Sequence, residues 1–258
     1  MRKKLAPLAR ALADRLAVSR VQEEQRLSRP RCLCDHHAFL DLVKPDSHVL
    51  DLGAFKGEFS REIAELTGSR VVAVEANPTL VAAMPAVEGV KLLNLAVADR
   101  EGHLRLFIGS NLLGTSVYAS HPYASDETVD VPATTLASVI AQHCGGRVDL
   151  LKVNIEGAEI RMLRSTDDSV LQGIAQITIQ FHDFIPELDQ AADVVEAKRR
   201  LRELGFGEIL FKSPNKDVLF VNLAAGVMPR ARFSAERTLV KLRQYARAAQ
   251  KKLKRARA

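Results

Sequence analysis

The sequence predicts an α/β protein with a Rossmann-like, doubly wound and mostly parallel sheet, an antiparallel hairpin at one sheet edge, and N- and C-terminal helical arms. β-Branched runs alternate with helical patterns along residues 48–204, which is typical of βαβ units. Glycines and acidic residues follow the first two of these runs, where doubly wound sheets bind ligands. The 258 residues, of which 47% are hydrophobic, suffice for one large α/β domain, and no apolar stretch approaches the length of a bilayer span.

The N-terminal arm, residues 1–31, is expected to form a basic amphipathic helix. The pattern stops at Pro30, and its leucines recur every three or four residues, at Leu5, Leu8, Leu12 and Leu16. The arm contains nine Arg or Lys residues and three Asp or Glu residues. Because Arg10, Asp14 and Arg15 interrupt its apolar positions, we expect no secretory signal and a cytoplasmic protein.

The central domain, residues 32–228, is expected to open with a short helix at 36–44, which ends before Pro45. The later helices have apolar residues at helical spacing and end at glycines or turns. We place them at 58–66, 79–84, 134–143, 157–164 and 187–204.

The strands of this domain are β-branched or apolar runs bounded by turn residues or acids. The segment 109–127 between two of them is rich in Ser, Gly, Asn and Thr; it is either a functional loop that covers a ligand or an exposed hairpin connection. We place the strands at 48–52, 70–75, 90–97, 103–108, 128–132, 148–153 and 175–181, followed by the hairpin 207–212 and 217–222.

The C-terminal arm, residues 229–258, is expected to form a second basic amphipathic helix. Its apolar positions recur at helical spacing, at Leu239, Leu242, Ala246, Ala249 and Leu253. This arm has eleven basic residues and one acidic residue, whereas residues 32–228 have 17 basic and 27 acidic residues. The net charge of +6 therefore describes an acidic body between two basic arms, which argues against a nucleic acid substrate. Peripheral contact of the arms with an anionic membrane, contact with nucleic acid, and packing between helices remain open.

Three cysteines in a chain of this length do not make a disulfide framework and favour a reducing compartment. Cys32 and Cys34 precede His36 and His37, which are zinc-ligand residue types. A structural zinc site needs two separated ligand pairs, and Cys144 is a poor partner, so we expect no zinc.

The turn after the first core strand predicts a nucleoside-binding site. The segment from Asp51 to Gly57 reads D-L-G-A-F-K-G. Gly53 and Gly57 let the chain turn sharply and bring backbone N–H groups of this segment, including that of Ala54, close to a ligand. The alternative is a turn whose glycines serve only the fold.

Glu75 ends the second core strand, where an acid can accept hydrogen bonds from both hydroxyls of an adenosine ribose. Asn77 follows it. Phe55 stands where a dinucleotide fingerprint requires its second glycine, which disfavours a nucleotide-dependent oxidoreductase. An adenosyl ligand without a pyrophosphate, such as S-adenosylmethionine, fits this pattern.

Residues 149–159 read Asp-Leu-Leu-Lys-Val-Asn-Ile-Glu-Gly-Ala-Glu and bring Asn154 and Glu156 to the end of a buried strand. This segment resembles the Lys-(Ile/Val)-Asp-(Ile/Val)-Glu-Gly-x-Glu hallmark of the FkbM-type family of class I S-adenosylmethionine-dependent methyltransferases. Similar segments of that family match Asp51 to Gly57, Val74 to Pro78 and Val131 to Leu136, in the same order along the chain.

The resemblance implies S-adenosylmethionine as cofactor and O-methylation of a hydroxyl on a sugar, glycan or natural-product small molecule. Two positions depart from the family pattern: Asn154 replaces the usual aspartate, and Ala137 replaces the acid after Thr-Thr-Leu. Asn154 keeps an acceptor oxygen but cannot act as a general base. A non-catalytic binding or regulatory protein on the same fold is therefore the alternative. The expected cofactor-binding residues are Asp51, Gly53, Ala54, Gly57, Glu75, Asn77 and Asn154.

His182 and Asp183 follow strand 175–181 at the same sheet edge and are the candidates for proton transfer. We predict His182 as the leading general base, oriented by Asp183, with Glu156 shaping the acceptor pocket. Together with Asn154, these three residues could instead hold one divalent cation that lowers the pKa of a hydroxyl. A purely structural His–Asp pair is the third possibility.

Overall fold

The computed structural model of the protein describes residues 29–109 and 115–256, with side chains described up to residue 250. Most of the predicted N-terminal helix, residues 1–28, and the middle of the predicted loop, residues 110–114, lie outside the described residues.

A seven-stranded, mostly parallel sheet forms the centre of the fold and confirms the predicted fold class. Its strands are β3 (His48–Leu52), β4 (Arg70–Glu75), β5 (Val90–Asn94), β9 (Leu150–Val153), β10 (Gln176–Ile179), β11 (Phe206–Lys212) and β12 (Asp217–Asn222). They lie in the order β11-β12-β10-β9-β3-β4-β5. The strands from β10 to β5 are parallel, whereas β12 is antiparallel to both of its neighbours, as the predicted edge hairpin requires.

Helices pack on both faces of this sheet because the parallel strands are apolar on both sides. The helices are α1 (Glu58–Thr67), α2 (Pro78–Ala83), α3 (Leu136–His143), α4 (Glu159–Ser165), α5 (Asp168–Gln172), α6 (Ala191–Glu203) and α7 (Arg230–Ala256). One face buries α3 to α6 in the largest apolar cluster, which includes Leu52, Met162 and Leu201. The other face buries α1 through Phe59 and Ile63.

The helix predicted at 36–44 is wrong, because this segment contains the second strand of a hairpin. The strands β1 (Arg31–Leu33) and β2 (His36–Ala38) pair antiparallel across a turn in which Cys34 and Asp35 have positive φ. A short 3-10 helix, Leu40–Leu42, follows. The hairpin forms because Leu33, His36 and Ala38 all bury their side chains against the body.

The strand predicted at 90–97 divides into two strands because the chain passes from one sheet into another. After β5, the strand β6 (Ala96–Ala98) pairs with β8 (Ala124–Thr135), which also pairs with β7 (Gly102–Gly109). The resulting three-stranded sheet has its own apolar cluster, which includes Leu106 and Val131. The predicted strand 128–132 is thus the middle of a longer one.

The C-terminal helix α7 packs against the edge of the central sheet. Phe233 and Val240 are buried beside Ile209 and Val221, and the Gln244 side chain donates to the carbonyl of Leu210 at 2.7 Å. Among the helices in the described part of the chain, none is both long and apolar enough to cross a membrane.

Candidate active site

A cavity of about 240 Å³ lies at the carboxyl ends of the parallel strands, beside the point between β3 and β9 where the strand order reverses. The predicted site residues that line it are Gly53, Ala54, Glu75, Asn154 and Glu156. Asp51, Gly57, Asn77, His182 and Asp183 are not in its wall.

The turn after β3 passes directly under the end of β9. Gly53 has a φ of +77°, and an added Cβ would lie only 1.8 Å from the carbonyl oxygen of Asn154. The N–H groups of Gly53 and Ala54 both donate to the carbonyl of Val74, at 2.9 and 3.0 Å. Position 53 therefore requires glycine for its backbone conformation and for this close approach.

Asp51 lies beneath the turn rather than in the cavity wall. It is fully buried, and its two carboxylate oxygens bind Lys152 Nζ at 2.8 Å and the Ser60 hydroxyl at 2.7 Å. Lys152 Nζ also donates to the carbonyl of Gly53 at 2.7 Å. This buried ion pair joins β3, β9 and the glycine turn, and it fixes the cavity floor.

Gly57 and Asn77 stabilise the starts of two helices next to the cavity. Gly57 has a φ of +77° immediately before α1. The Asn77 side-chain oxygen accepts the N–H of Thr79 at 2.9 Å and caps α2, while its amide donates to Thr115 at 3.3 Å. Both residues therefore act on the shape of the site.

Glu75 presents a buried carboxylate to the cavity. One oxygen accepts the N–H of Phe55 and the other the N–H of Asn77, both at 2.8 Å. Burial raises the pKa of Glu75, and these two hydrogen bonds partly offset that rise. The carboxylate is therefore fixed in one orientation while each oxygen keeps further acceptor capacity.

His182 lies between two carboxylates behind the cavity. Its Nδ1 is 2.9 Å from Glu159 Oε1, and its Nε2 is 3.3 Å from Glu156 Oε2. Burial by itself would lower the pKa of His182, but the charges and hydrogen bonds of Glu159 and Glu156 raise it to about 10. The imidazole is therefore protonated at neutral pH.

Glu156 joins this buried network to the cavity. Its φ is +51°, an unusual conformation for a residue other than glycine, and its carbonyl accepts the Ser116 hydroxyl at 2.6 Å. Its Oε2 contacts His121 Nε2 at 3.4 Å. Burial would raise the pKa of Glu156, but His121 and His182 lower it to about 2.

The side chains of Asn154 and Asp183 differ in their position relative to the cavity and in their hydrogen bonds. The side-chain oxygen of Asn154, which lines the cavity, is buried without a hydrogen-bond partner among the described residues. Asp183 turns towards the loop between β11 and β12, where its Oδ2 accepts the amide of Asn215 at 2.6 Å. Asp183 therefore does not orient His182; Glu159 does.

Within residues 29–109 and 115–256, no cluster of three or more His, Cys, Asp or Glu side chains is arranged to hold a metal ion. Asp183 bonds to Asn215, and the shared oxygen of Glu156 faces two histidines. The four residues considered from the sequence as a cation site thus do not converge on one point.

The structure adds three residues that the sequence analysis did not assign to this site. His121 and Ser116 come from the loop segment after residue 114 and contact Glu156. His36, from β2, lines the cavity and lies 3.4 Å from the Thr178 hydroxyl, and burial lowers the pKa of His36 well below its ordinary value. Neither loop histidines nor hairpin histidines have a periodic signal in a single sequence.

A doubly wound sheet with a glycine turn and an acid at neighbouring strand ends is typical of nucleoside-binding α/β proteins, which bind their ligand at this edge of the sheet. Residues 51–207 match the FkbM methyltransferase domain, which is more than half of the chain. The protein belongs to this family, as the motifs predicted.

Comparisons of structure return distant similarities. Precorrin-6y C5,15-methyltransferase from Geobacter metallireducens GS-15 is 14% identical, over 70% of this chain and 82% of that chain, with a TM-score of 0.38. An rRNA methylase from Streptococcus thermophilus is 10% identical, over 70% of this chain and 88% of that chain, with a TM-score of 0.40. No curated protein matches the sequence.

Proposed function

We propose that the protein uses S-adenosylmethionine to methylate a hydroxyl of a sugar, glycan or natural-product small molecule. The observation that carries this proposal is the cavity itself, which has the carboxylate of Glu75 at the end of β4 and that of Glu156 beyond the end of β9. One carboxylate suits a ribose, and the other faces the space in which an acceptor hydroxyl would lie.

The residues present fit an adenosyl sulfonium. Glu75 is fixed by two backbone N–H groups and can accept ribose hydroxyls. The unpartnered oxygen of Asn154 is a buried acceptor in the wall, where the methionine portion would lie. Glu58, Glu75 and Glu156 make the lining acidic, which favours a cation. Gly53 and Ala54 would give the cofactor close access to the backbone.

The cofactor, when bound, supplies an electrophilic methyl group on sulfur. Glu156 would accept a hydrogen bond from the acceptor hydroxyl and orient its oxygen towards that methyl. The Glu156 carboxylate would take the proton that the acceptor hydroxyl releases on methylation. A weak base suffices, because an oxygen that has gained a methyl group is far more acidic than the starting hydroxyl.

The general-base role predicted for His182 requires a free nitrogen lone pair. Both ring nitrogens face carboxylates, and the pKa of about 10 leaves the ring protonated at neutral pH. We therefore assign His182 the role of holding Glu156 in place, with Glu159 orienting the imidazolium from the other side.

The acidic body, residues 32–228, supports a neutral acceptor over a polyanion such as RNA, because a polyanion would be repelled from the cavity. The apolar lining by Leu80, Leu95 and Val97 gives the adenine portion of the cofactor a wall to pack against.

Calorimetric titration of the full chain with S-adenosylmethionine and, in parallel, with NAD separates this function from a nucleotide-dependent oxidoreductase. We expect saturable binding of S-adenosylmethionine and none of NAD. The absence of S-adenosylmethionine binding would refute the proposal. Binding without methyl transfer to any hydroxyl in a panel of sugars and polyols would favour the non-catalytic alternative.

A further inference from the structure

Helix α7 has two separate apolar faces, and the residues that the structure describes cover only one of them. At about 100° per residue, Phe233, Val240 and Gln244 lie on one side of the helix. These are the residues that pack on the central sheet. The apolar positions recognised in the sequence, such as Leu239 and Leu242, lie on the opposite side and face away from the body.

The outward stripe is exposed along its whole described length. The exposed fractions of its three largest described side chains are 36% for Leu239, 59% for Leu242 and 74% for Tyr245. It contains no charged residue, and its members in chain order are Ala231, Ala235, Thr238, Leu239, Leu242, Tyr245, Ala246, Ala249 and, by sequence position, Leu253. A charge-free face that no part of the described chain covers is unusual on a helix so rich in Arg and Lys.

Basic residues lie on both flanks of this stripe: at about 100° per residue, Lys241 borders it on one side and Arg243 on the other, while Arg237 and Arg247 lie nearer the inward face. Arg237, Lys241, Arg243 and Arg247 are exposed, and residues 229–258 contain eleven basic residues and one acidic residue. The body, by contrast, has an excess of acids over residues 32–228. A partner for the stripe must therefore offer an apolar layer beneath a negatively charged surface.

We infer that α7 is an interfacial helix that attaches this protein to the surface of a bilayer containing anionic phospholipid. The stripe enters the boundary between headgroups and acyl chains, and the flanking Arg and Lys side chains bind the headgroups. The inward face stays on the sheet edge, so the body is held on the side of α7 that faces away from the bilayer. The inference does not depend on the proposed methyl transfer.

Charge distinguishes this partner from two others. A second copy of α7 would bring its own cations against those of the first, and the repulsion disfavours that pairing. The phosphates of a nucleic acid would pair with the cations, but a nucleic acid offers no apolar layer to cover the stripe. Of these three partners, a bilayer is the one that accounts for both the outward leucines and tyrosine and the flanking cations.

The experiment is co-sedimentation of the full chain with vesicles of phosphatidylcholine, with or without phosphatidylserine, and with a duplex RNA as a competing ligand in solution. The stripe variant is L239S/L242S/Y245S, and its control is Val195→Ser, which alters an exposed apolar residue of α6 (65% exposed). The charge variant is R237Q/K241Q/R243Q. Its control, R61Q/K91Q/R100Q, removes three exposed cations from the body.

We expect the intact protein and both controls to sediment with phosphatidylserine vesicles and to be released by salt. The charge variant should lose on the order of a hundredfold in partition coefficient, since each cation near the surface contributes about 1 kcal/mol. The stripe variant should lose about tenfold or more, because it removes the apolar contact.

Three results would overturn the inference. The first is that the intact protein does not sediment with anionic vesicles. The second is that the stripe variant binds them as the intact protein does, while the charge variant loses RNA binding, which identifies α7 as a nucleic-acid contact. The third is that the stripe variant changes the oligomeric state in light scattering, which identifies a second copy as the partner. Equal urea midpoints for all variants would establish that each one is folded.

Discussion

The imidazole of His182 lies 2.9 Å from the carboxylate of Glu159, and both side chains are buried. Glu159 also accepts the N–H groups of Ile155 and Gly157 at 3.0 and 3.3 Å. The pair therefore connects the end of β10 to the tight turn that carries Glu156. Its charge state should be visible in the stability of the protein as well as in its chemistry.

We predict that the free energy of unfolding decreases as pH rises from 6.5 to 10. The ordinary histidine pKa of 6.5 is raised to about 10 in the folded state, so the ion pair stabilises fully below pH 6.5 and is lost as His182 releases its proton. One proton gives a slope of at most about 1.4 kcal/mol per pH unit. Urea unfolding followed by circular dichroism across this range measures it.

The matched variants for this prediction are His182→Gln and His103→Gln. His103 is exposed, so its loss should leave the slope as in the wild type. His182→Gln removes the titrating group and should flatten the curve between pH 6.5 and 10. The same slope in both variants would mean that another group titrates there.

A second prediction concerns the turn beneath the cavity. Gly53→Ala should cost about 3 kcal/mol or more, because its Cβ would collide with the carbonyl of Asn154 in addition to the strain of a positive φ. Gly146→Ala is the matched control: its φ is +83°, but an added Cβ meets nothing within 4 Å. The control should lose only about 1 to 2 kcal/mol. Equal losses in urea unfolding would show that the contact with Asn154 is unimportant.

Glu75 provides a third prediction, on cofactor affinity. Glu75→Ala should raise the Kd for S-adenosylmethionine by about tenfold or more, because it removes a charged acceptor that we assign to the ribose. Glu75→Gln keeps one acceptor oxygen and should have a smaller effect. The exposed Glu88→Gln is the control, and calorimetry is the measurement. An unchanged Kd for S-adenosylmethionine in Glu75→Ala would show that Glu75 does not bind the ribose.

The alternation of strands and helices was sufficient to predict the central sheet, because buried parallel strands and their covering helices differ in period along the chain. The hairpin containing His36 was mistaken for a helix. Its apolar positions are few, and its conformation depends on Cys34 and Asp35 adopting positive φ and on burial against the body. A short segment of this kind is determined by tertiary contacts that periodicity does not report.

In the site, too, local features were predictable from the sequence, whereas features that depend on tertiary contacts were not. The placement of Glu75 and Asn154 in the cavity wall was predictable, because the end of a parallel strand determines where its next residues point. The pairing of Asp51 with Lys152, and of Glu156 with His121, joins residues far apart in the chain, so only the structure reveals it. The charge state of His182 depends on these partners. The residue type suggested a base, whereas its surroundings give a cation.

The last prediction distinguishes the two roles for His182 by the pH dependence of kcat. If Glu156 receives the proton, its pKa of about 2 keeps it ionised throughout the neutral range, and kcat should be level there. The rate should then fall towards pH 10, as His182 loses its charge and releases Glu156. A general base at His182 would give the opposite profile, with kcat rising up to that pH.

Glu156→Gln tests the same assignment directly. It keeps the shape of the side chain but removes the charge, and we expect kcat to fall by about a hundredfold or more, with a smaller loss of S-adenosylmethionine affinity than in Glu75→Ala. His182→Gln should lower kcat less than Glu156→Gln does. The introduced Gln lacks the positive charge of the imidazolium but can still donate a hydrogen bond to Glu156. Full activity in Glu156→Gln, together with a kcat that rises with pH in the wild type, would show that His182 and not Glu156 is the general base.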